Sequence, residues 1–533
     1  MLNFYQMVFK NRKKVIYVSI LLVFSVLINQ YYGYRGIQPI DSFFSFNAGF
    51  DVVNGYFPFK DYWTITGPFI DFSLGLFFKL FGVSWFSYIL YASIFNFIFT
   101  ILTFYTLAKF KLNINYCFLY SILVSILAYP SAGTPYVDHQ STFTSIIAVY
   151  FFILALKTNL KIYWLLIPII LGISFLTKQT PTAHFVLIIG FLSLVHFFFN
   201  FNIKKIIFFA IGIFFFIFVF FILILFAKIP ITSFLNQYIF FPMTLGESRL
   251  EFLLPLEFNR IILRFKLIHL SSIVLLIVLI KKTTQDYRYL KSNDCLIIIT
   301  LISSALALIA HQLMTINGMF IFFLIPLLCG FSHIYYQKNL NDKKYILYFL
   351  VFLSIASTLH YANKYIDKRE FMDLGNVNIE KGIDAKIFDK KLNGLKWITP
   401  TNSNNPKKEI SNLLEVIDII KKDSRFKMLV TDYQFISVIL SINDNSVNKY
   451  WYKRHVYPGI ENKYFEIYKK FFIKKLREEK IQVVYVIKPL HQDANFGRKL
   501  FLNSILESTC IIKSSVTEIL DVYELKNCKD LKN

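Results

Sequence analysis

Eleven runs of mostly apolar residues divide the first 360 residues of the chain, and they restrict its fold more than any other feature. A helix needs roughly 17–25 such residues to cross the hydrocarbon core of a membrane. The runs lie near 15–31, 83–108, 114–130, 141–157, 162–177, 182–201, 206–227, 261–280, 295–311, 319–336 and 345–360. The pattern therefore predicts a polytopic α-helical membrane protein with about eleven transmembrane helices.

The composition points the same way. Hydrophobic residues make up 56% of the chain and charged residues only 17%, whereas soluble proteins carry about a quarter. These values exclude an ordinary soluble enzyme and a disordered chain, and five cysteines are too few for a disulfide scaffold. The net charge of +24 does not indicate nucleic acid, because basic residues gather in the cytoplasmic loops of membrane proteins.

The distribution of charge predicts the orientation of the helices. Basic residues precede the first run and recur in every second loop, whereas the few acids of residues 1–360 lie mostly in the other loops. The N-terminus is therefore predicted to be cytoplasmic, and an odd number of spans places the C-terminus outside. The basic loop residues are Lys109, Lys111, Lys157, Lys161, Lys204, Lys205, Lys281, Lys282, Arg288, Lys291, Lys338, Lys343 and Lys344.

A shift in composition near residue 361 separates a membrane domain, 1–360, from a water-soluble tail, 361–533. Strand-like runs at 427–431, 482–487 and 518–525, with a charged helix at about 461–480, predict a small extracytoplasmic α/β accessory domain. Cys510 and Cys528 fall in this tail, where a disulfide is permitted. Whether they pair is left open.

The long first external loop, 32–82, carries two predicted helices. The first covers 41–54, with Asp41 as its cap and Gly55 after its end, and the second covers 68–81, before Gly82. Their apolar residues predict that they lie along the membrane interface. A further external loop at about 228–260 is predicted to form a lid.

The order of residues in this loop resembles that of the GT-C glycosyltransferases. Asp41 is followed by Ala48, then by GYFPFKDYW (55–63), GPFIDF (67–72) and LFG (80–82). The resemblance extends over roughly residues 1–200 and is to bacterial polyprenyl-phosphate-sugar mannosyltransferase-like proteins, a group with the 4-amino-arabinose transferases and protein O-mannosyltransferases. It implies a GT-C-like membrane fold.

The implied reaction moves a sugar, with inversion, from a polyprenyl-phosphate carrier to a glycan, lipid or protein acceptor of the cell envelope. It would take place at the outer face of the bacterial cytoplasmic membrane. The family's first external acid falls on Asp41 and its second on Asp138. The family often has two adjacent acids at the first position, whereas Ser42 follows Asp41, which favours a single carboxylate. No metal site is predicted, and a divalent cation as cofactor is left open.

The chemistry of glycosyl transfer fits several external residues. A carboxylate must accept the proton of the acceptor hydroxyl, and positive charge must hold the departing lipid phosphate. Asp41 is the predicted base, and Asp138 is predicted to support the acceptor site. The predicted phosphate-binding residues are Lys178, Arg249 and Arg260, and the predicted substrate-binding residues are Tyr56, Asp61, His139 and Gln179.

Simpler explanations exist for the same residues. Asp41 suits a helix cap, Asp61 suits a turn, and Lys178 can reach the membrane surface as a long flexible cation. A polar cluster of His311, Gln312 and Asn317 fits either an acceptor cavity or a plain turn between helices.

Other functions stay open as well. A polysaccharide polymerase or ligase would use a diphosphate-linked donor, and a transporter or flippase would place charge at the bilayer midplane. The predicted partners are the lipid-linked donor, the envelope acceptor and membrane lipids, without nucleic acid.

Overall fold

The computed structural model describes residues 12–128, 133–253, 257–315, 321–340, 344–442, 446–451, 456–490, 500–506, 510–526, 528 and 531. Its α-helices are α1 Arg12–Gly33, α2 Pro39–Val53, α3 Phe69–Phe81, α4 Trp85–Lys109, α5 Ile114–Ala128, α6 Val137–Thr158, α7 Lys161–Phe175, α8 Gln179–Phe199, α9 Ile203–Phe226, α10 Ile231–Phe234, α11 Phe241–Thr244, α12 Gly246–Leu253, α13 Lys266–Gln285, α14 Asn293–Thr315, α15 Leu324–Asn339, α16 Lys344–Ala362, α17 Pro406–Lys422, α18 Phe435–Leu440, α19 Phe465–Glu478 and α20 Leu500–Ile505. The strands are β1 Ile383–Asp384, β2 Lys396–Trp397, β3 Lys427–Val430, β4 Val483–Ile487, β5 Ile511–Thr517 and β6 Leu520–Leu525.

Every one of the eleven apolar runs coincides with a helix, namely α1, α4–α9 and α13–α16. Within the described ranges, eight of the chain's helices are long and apolar enough to cross a membrane. The helices α5, α7 and α15 have 15, 15 and 16 residues and are shorter than a typical span. The chain is therefore a polytopic helical protein with a small C-terminal sheet, and the count of eleven spans stays a prediction.

Residue contacts group the chain into two compact units. The first consists of residues 1–33, 89–221 and 248–371, and the second of residues 34–88, 222–247 and 372–533. This grouping differs from the predicted division at residue 360, because the first loop joins the C-terminal residues rather than the helices. The composition of a segment reflects the solvent around it, whereas residue contacts reflect which segments pack against each other.

The first unit is built around α6. This helix is buried along nearly its whole length and packs against α7, α8 and α14. The helix α9 is mostly exposed, unlike α6. It is apolar on all faces and exposes large side chains such as Phe214 and Phe218. Such a helix needs an apolar solvent around it, which supports a membrane environment for the first unit.

The second unit combines the first loop with a four-stranded sheet of order β3-β4-β6-β5. Strands β3 and β4 are parallel, and the other two pairs are antiparallel. Among the predicted tail elements, the three strands and the charged helix appear as β3, β4, β6 and α19. Cys510 and Cys528 form a disulfide next to the sheet.

The predicted interfacial position is wrong for α2. All its residues from Ser42 to Asp51 are buried in the second unit, where Phe43 contacts Trp397 and Phe44 stacks on Tyr450. No apolar face of α2 is left for lipid. The helix α3 does expose several apolar side chains, Leu76, Leu80 and Phe81, and it ends at Phe81, before Gly82, as predicted.

Candidate functional site

Three ionisable side chains meet inside the first unit. The carboxylate oxygen Oδ1 of Asp138 accepts hydrogen bonds from Lys178 Nζ at 2.5 Å and from His311 Nε2 at 3.1 Å. The side chains of Asp138 and His311 are only 4% and 1% exposed. Ionisable groups among membrane-spanning helices are costly and mostly functional, so this cluster is the strongest candidate site of the unit.

Each of the three residues lies at the end of a helix. Asp138 lies in the first turn of α6, where a negative charge interacts favourably with the helix dipole. Lys178 is the N-cap of α8, in extended conformation, and His311 lies four residues before the end of α14. The ends of three helices thus bring the charges to one end of the bundle.

Hydroxyl groups connect α6, α7 and α8 beside the cluster. Ser174 Oγ lies 2.8 Å from Ser145 Oγ and 2.7 Å from Thr182 Oγ1, which joins α7 to α6 and α8. Thr182 also donates to the backbone carbonyl of Lys178 at 2.9 Å. These bonds fix the position of the Lys178 backbone relative to Asp138.

Two polar groups of the cluster have bonding capacity left. Both donors to the Asp138 carboxylate approach Oδ1, and Nδ1 of His311 is buried and hydrogen-bonds to no other described residue. Next to His311, the side-chain amide of Gln312 is buried and hydrogen-bonds to no other described residue. Buried polar groups are normally paired, so both groups suit contact with a bound polar molecule.

The structure thus brings two predicted site residues, Asp138 and Lys178, into direct contact. Arg249, on α12, lies within electrostatic range: burial lowers the pKa of its guanidinium, and the carboxylate of Asp138 opposes that shift. His139 is buried beside Tyr136, with ring centroids 5.6 Å apart. Gln179 is the first residue of α8, directly after Lys178.

Arg260 lies on a π-helical turn, Asn259–Leu263, before α13. The predicted lid at 228–260 contains the short helices α10, α11 and α12 rather than an extended loop, and residues 254–256 lie outside the described ranges.

The remaining predicted residues belong to the second unit. Asp41 is half-buried in the first turn of α2 and does not cap it, because the helix begins at Pro39 with Gln38 as its N-cap. Proline is well suited to the first position of a helix, which explains the earlier start. A polar cavity of about 190 Å³ lies at this end of α2 and is lined by Gln38, Pro39, Ile40, Thr401, Asp432, Tyr433, Pro489 and Leu490.

The carboxylate of Asp61 accepts hydrogen bonds within the second unit. One carboxylate oxygen accepts from the backbone N–H of Phe57 at 2.8 Å, and the other accepts from Lys475 Nζ at 3.0 Å. Asp61 is thus paired within the second unit, and its contact with substrate stays a prediction. Tyr56 follows the end of α2, and its backbone N–H donates to Asp51 at 2.9 Å.

His311 is not among the predicted catalytic residues, although the sequence places it in a polar segment that fits an acceptor cavity. The usable signal was an ionisable residue followed by glutamine near the end of an otherwise apolar helix. Asn317, the third member of that segment, lies outside the described residues. Within the described part of the chain, no group of three His, Cys, Asp or Glu residues is arranged to hold a metal ion.

Comparison with known proteins does not assign the chain to a family. No family model matches the chain, and no curated protein matches it at a significant level.

Proposed function

We propose that this protein is a membrane glycosyltransferase that moves a sugar from a polyprenyl-phosphate carrier to an acceptor of the bacterial cell envelope. The observation that carries the proposal is the buried cluster of Asp138, Lys178 and His311 at one end of the helix bundle. The GT-C-like order of residues in the first loop supplies the reaction class.

The cluster offers the two kinds of group that the reaction needs. Lys178 and Arg249 are cations that suit the phosphate of the donor, whose negative charge grows as the sugar leaves. The carboxylate of Asp138 and the amide of Gln312 suit hydroxyl groups of the acceptor. These roles follow from charge and hydrogen-bonding capacity.

In the proposed reaction, the acceptor oxygen attacks the anomeric carbon and forms the new glycosidic bond. The bond between that carbon and the phosphate oxygen breaks, and the polyprenyl phosphate leaves with the electron pair. A carboxylate takes the proton of the acceptor hydroxyl. We assign that carboxylate to Asp41 from its place in the first loop, where the GT-C resemblance puts the first external acid.

The proposed location is the outer face of the cytoplasmic membrane. The disulfide between Cys510 and Cys528 supports an extracytoplasmic C-terminal domain, because disulfides persist in oxidising compartments. The basic residues in every second loop support a cytoplasmic N-terminus.

The test is transfer of labelled hexose from polyprenyl phosphate to envelope acceptors in membranes that contain the full chain. Asp41→Asn should lower the rate by at least about 10²-fold, the usual contribution of a general base. Glu466→Gln is the matched control, since Glu466 also lies in the first turn of a helix of the second unit. Its rate should not change.

A second pair of variants tests the phosphate contact. Lys178→Gln should raise the KM for the lipid donor, and Lys178→Arg should restore much of the lost affinity because it keeps the charge. Full activity of the Asp41→Asn protein would remove Asp41 from the mechanism. Activity with a polyprenyl-diphosphate-linked donor alone would instead identify a polymerase or ligase.

A further inference from the structure

A second polar site lies at the opposite end of the same helix bundle. It is a cavity of about 370 Å³ in the first unit, lined by Phe110, Lys111, Leu112, Lys157, Asp294, Ile334, Tyr335, Gln337 and Lys338. Lys157 and Asp138 lie at opposite ends of α6, about 28 Å apart along the helix axis. The cavity is therefore separate from the candidate site described above.

The charge of the lining is strongly unbalanced. Lys338 forms an ion pair with Asp294, which is the one acid of the lining. Lys157 instead lies 5.3 Å above the ring of Phe110, and neither Lys111 nor Lys157 pairs with a carboxylate among the described residues. Two excess positive charges thus face the same space.

One of these lysines lies in the turn that ends its helix. Lys111 has a φ of 65°, in the left-handed region that a residue with a side chain rarely adopts. It lies where the chain leaves α4 and turns toward α5. This conformation ends α4 as a common C-terminal cap, in which the N–H of Leu112 donates to the carbonyl of Leu107 at 3.4 Å.

The surroundings of the cavity place it at the level of lipid headgroups. The rest of its lining includes the apolar residues Phe110, Leu112 and Ile334. Shortly after Lys338 the chain enters α16, whose first turns expose Tyr345 and Tyr348. Exposed tyrosines at the end of an apolar helix are typical of the membrane–water interface.

We propose that this cavity binds the phosphate headgroup of an acidic membrane phospholipid, with Lys111 and Lys157 as its cationic ligands. Basic pockets between transmembrane helices are known to hold such headgroups on the cytoplasmic side. The acyl chains would extend along the exposed apolar helices, while the lysines neutralise the phosphate. The site takes no part in the glycosyl transfer proposed above and does not depend on it.

The test measures lipid binding to the purified full chain. The protein is placed in nanodiscs of phosphatidylcholine, with or without phosphatidylglycerol, and bound phosphatidylglycerol is quantified by native mass spectrometry. The double variant Lys111→Gln/Lys157→Gln should weaken binding roughly 30-fold, since each lysine near a membrane surface contributes about five-fold. Lys111→Arg/Lys157→Arg should bind as the parent does.

The control is Lys281→Gln/Lys291→Gln, which removes two lysines from another basic loop. Lys291 also lies over a phenylalanine ring, that of Phe199, at 5.1 Å, but outside the cavity. An equal loss of binding in this control would overturn the proposal, because the attraction would then depend only on net charge. Unchanged binding in the cavity variant would overturn it as well.

A last experiment distinguishes a lipid from a soluble ligand that carries the same phosphate group. Inorganic phosphate and glycerophosphate are added to the protein in phosphatidylcholine nanodiscs, and thermal unfolding is followed. We expect no stabilisation by either compound. Stabilisation equal to that by phosphatidylglycerol, and lost in the cavity variant, would refute the lipid assignment in favour of a soluble phosphate.

Discussion

The ion pair between Asp51 and Lys449 connects the first loop to the C-terminal residues within the second unit. The two side chains are 4% and 2% exposed. Lys449 Nζ also donates to Asn47 Oδ1 at 2.6 Å and lies 4.8 Å from the ring centroid of Tyr62. The Tyr62 hydroxyl in turn donates to Asp71 at 2.7 Å, so the network joins α2 to α3.

Lys449→Met keeps much of the apolar stem of the side chain and removes its charge. Asp51 then stays buried but loses its ion pair with Lys449. Loss of one partner of a buried ion pair lowers the free energy of unfolding by about 3–5 kcal/mol. For a unit of this size, each kcal/mol lowers the midpoint of thermal unfolding by about 2–4 °C. The variant should therefore unfold roughly 6–20 °C below the parent.

Intrinsic tryptophan fluorescence of the full chain in detergent is a suitable assay, because four of the five tryptophans belong to the second unit. The double variant Asp51→Asn/Lys449→Met removes both charges. Its loss of stability should be roughly 2–3 kcal/mol smaller than the sum of the two single losses, as expected for directly contacting residues.

The matched control is Lys422→Met, whose lysine pairs with Asp418 on the surface of α17. These side chains are 75% and 56% exposed, and such pairs contribute at most about 1 kcal/mol. A Lys449→Met protein that unfolds at the temperature of this control would refute the reasoning, since the buried carboxylate would then need no cation.

Three further predictions follow from other parts of the structure. Burial raises the pKa of Asp71 to about 7, so folding takes up a proton, and the stability from this group should decline as the pH rises from about 4 to about 7. Asp71→Asn should flatten the pH dependence of thermal unfolding in that window. Replacement of Cys510 and Cys528 by alanine should lower stability by about 3 kcal/mol, because the bond closes a loop of 18 residues, and reductant should have the same effect on the parent. Gly212→Ala should cost about 1–3 kcal/mol, since its new Cβ would lie 2.2 Å from a backbone oxygen of α7, while Gly190→Ala, with open space around it, should unfold like the parent.

Each of the three has a result that contradicts it. A pH profile that Asp71→Asn leaves unchanged would show that another group titrates in the window. Equal stability of the parent with and without reductant would remove the role of the disulfide. Equal unfolding temperatures of the two glycine variants would show that the close approach at Gly212 does not limit packing.

The local patterns predicted the helices well. Length and hydrophobicity alone locate α1, α4 and α6, because membrane helices form all their backbone hydrogen bonds within one segment. Proline before α3 and glycine after it mark both of its ends. The strand β5 could not be found in this way, since five of its seven residues are exposed and its side chains do not alternate between apolar and polar.

The sequence by itself determined that this chain is a polytopic helical protein, approximately where its long apolar helices lie, and that Asp138 and Lys178 lie near the ends of apolar runs. Only the tertiary structure decided that Lys178 contacts Asp138 and that His311, 173 residues further along, contacts the same oxygen. It also decided that α2 is buried in the second unit. The physical reason is that lipid tails are as apolar as leucine side chains, so the residues that face lipid and those that face another helix look alike in the sequence. Which faces meet, and therefore which charges come together, depends on packing between segments far apart in the chain.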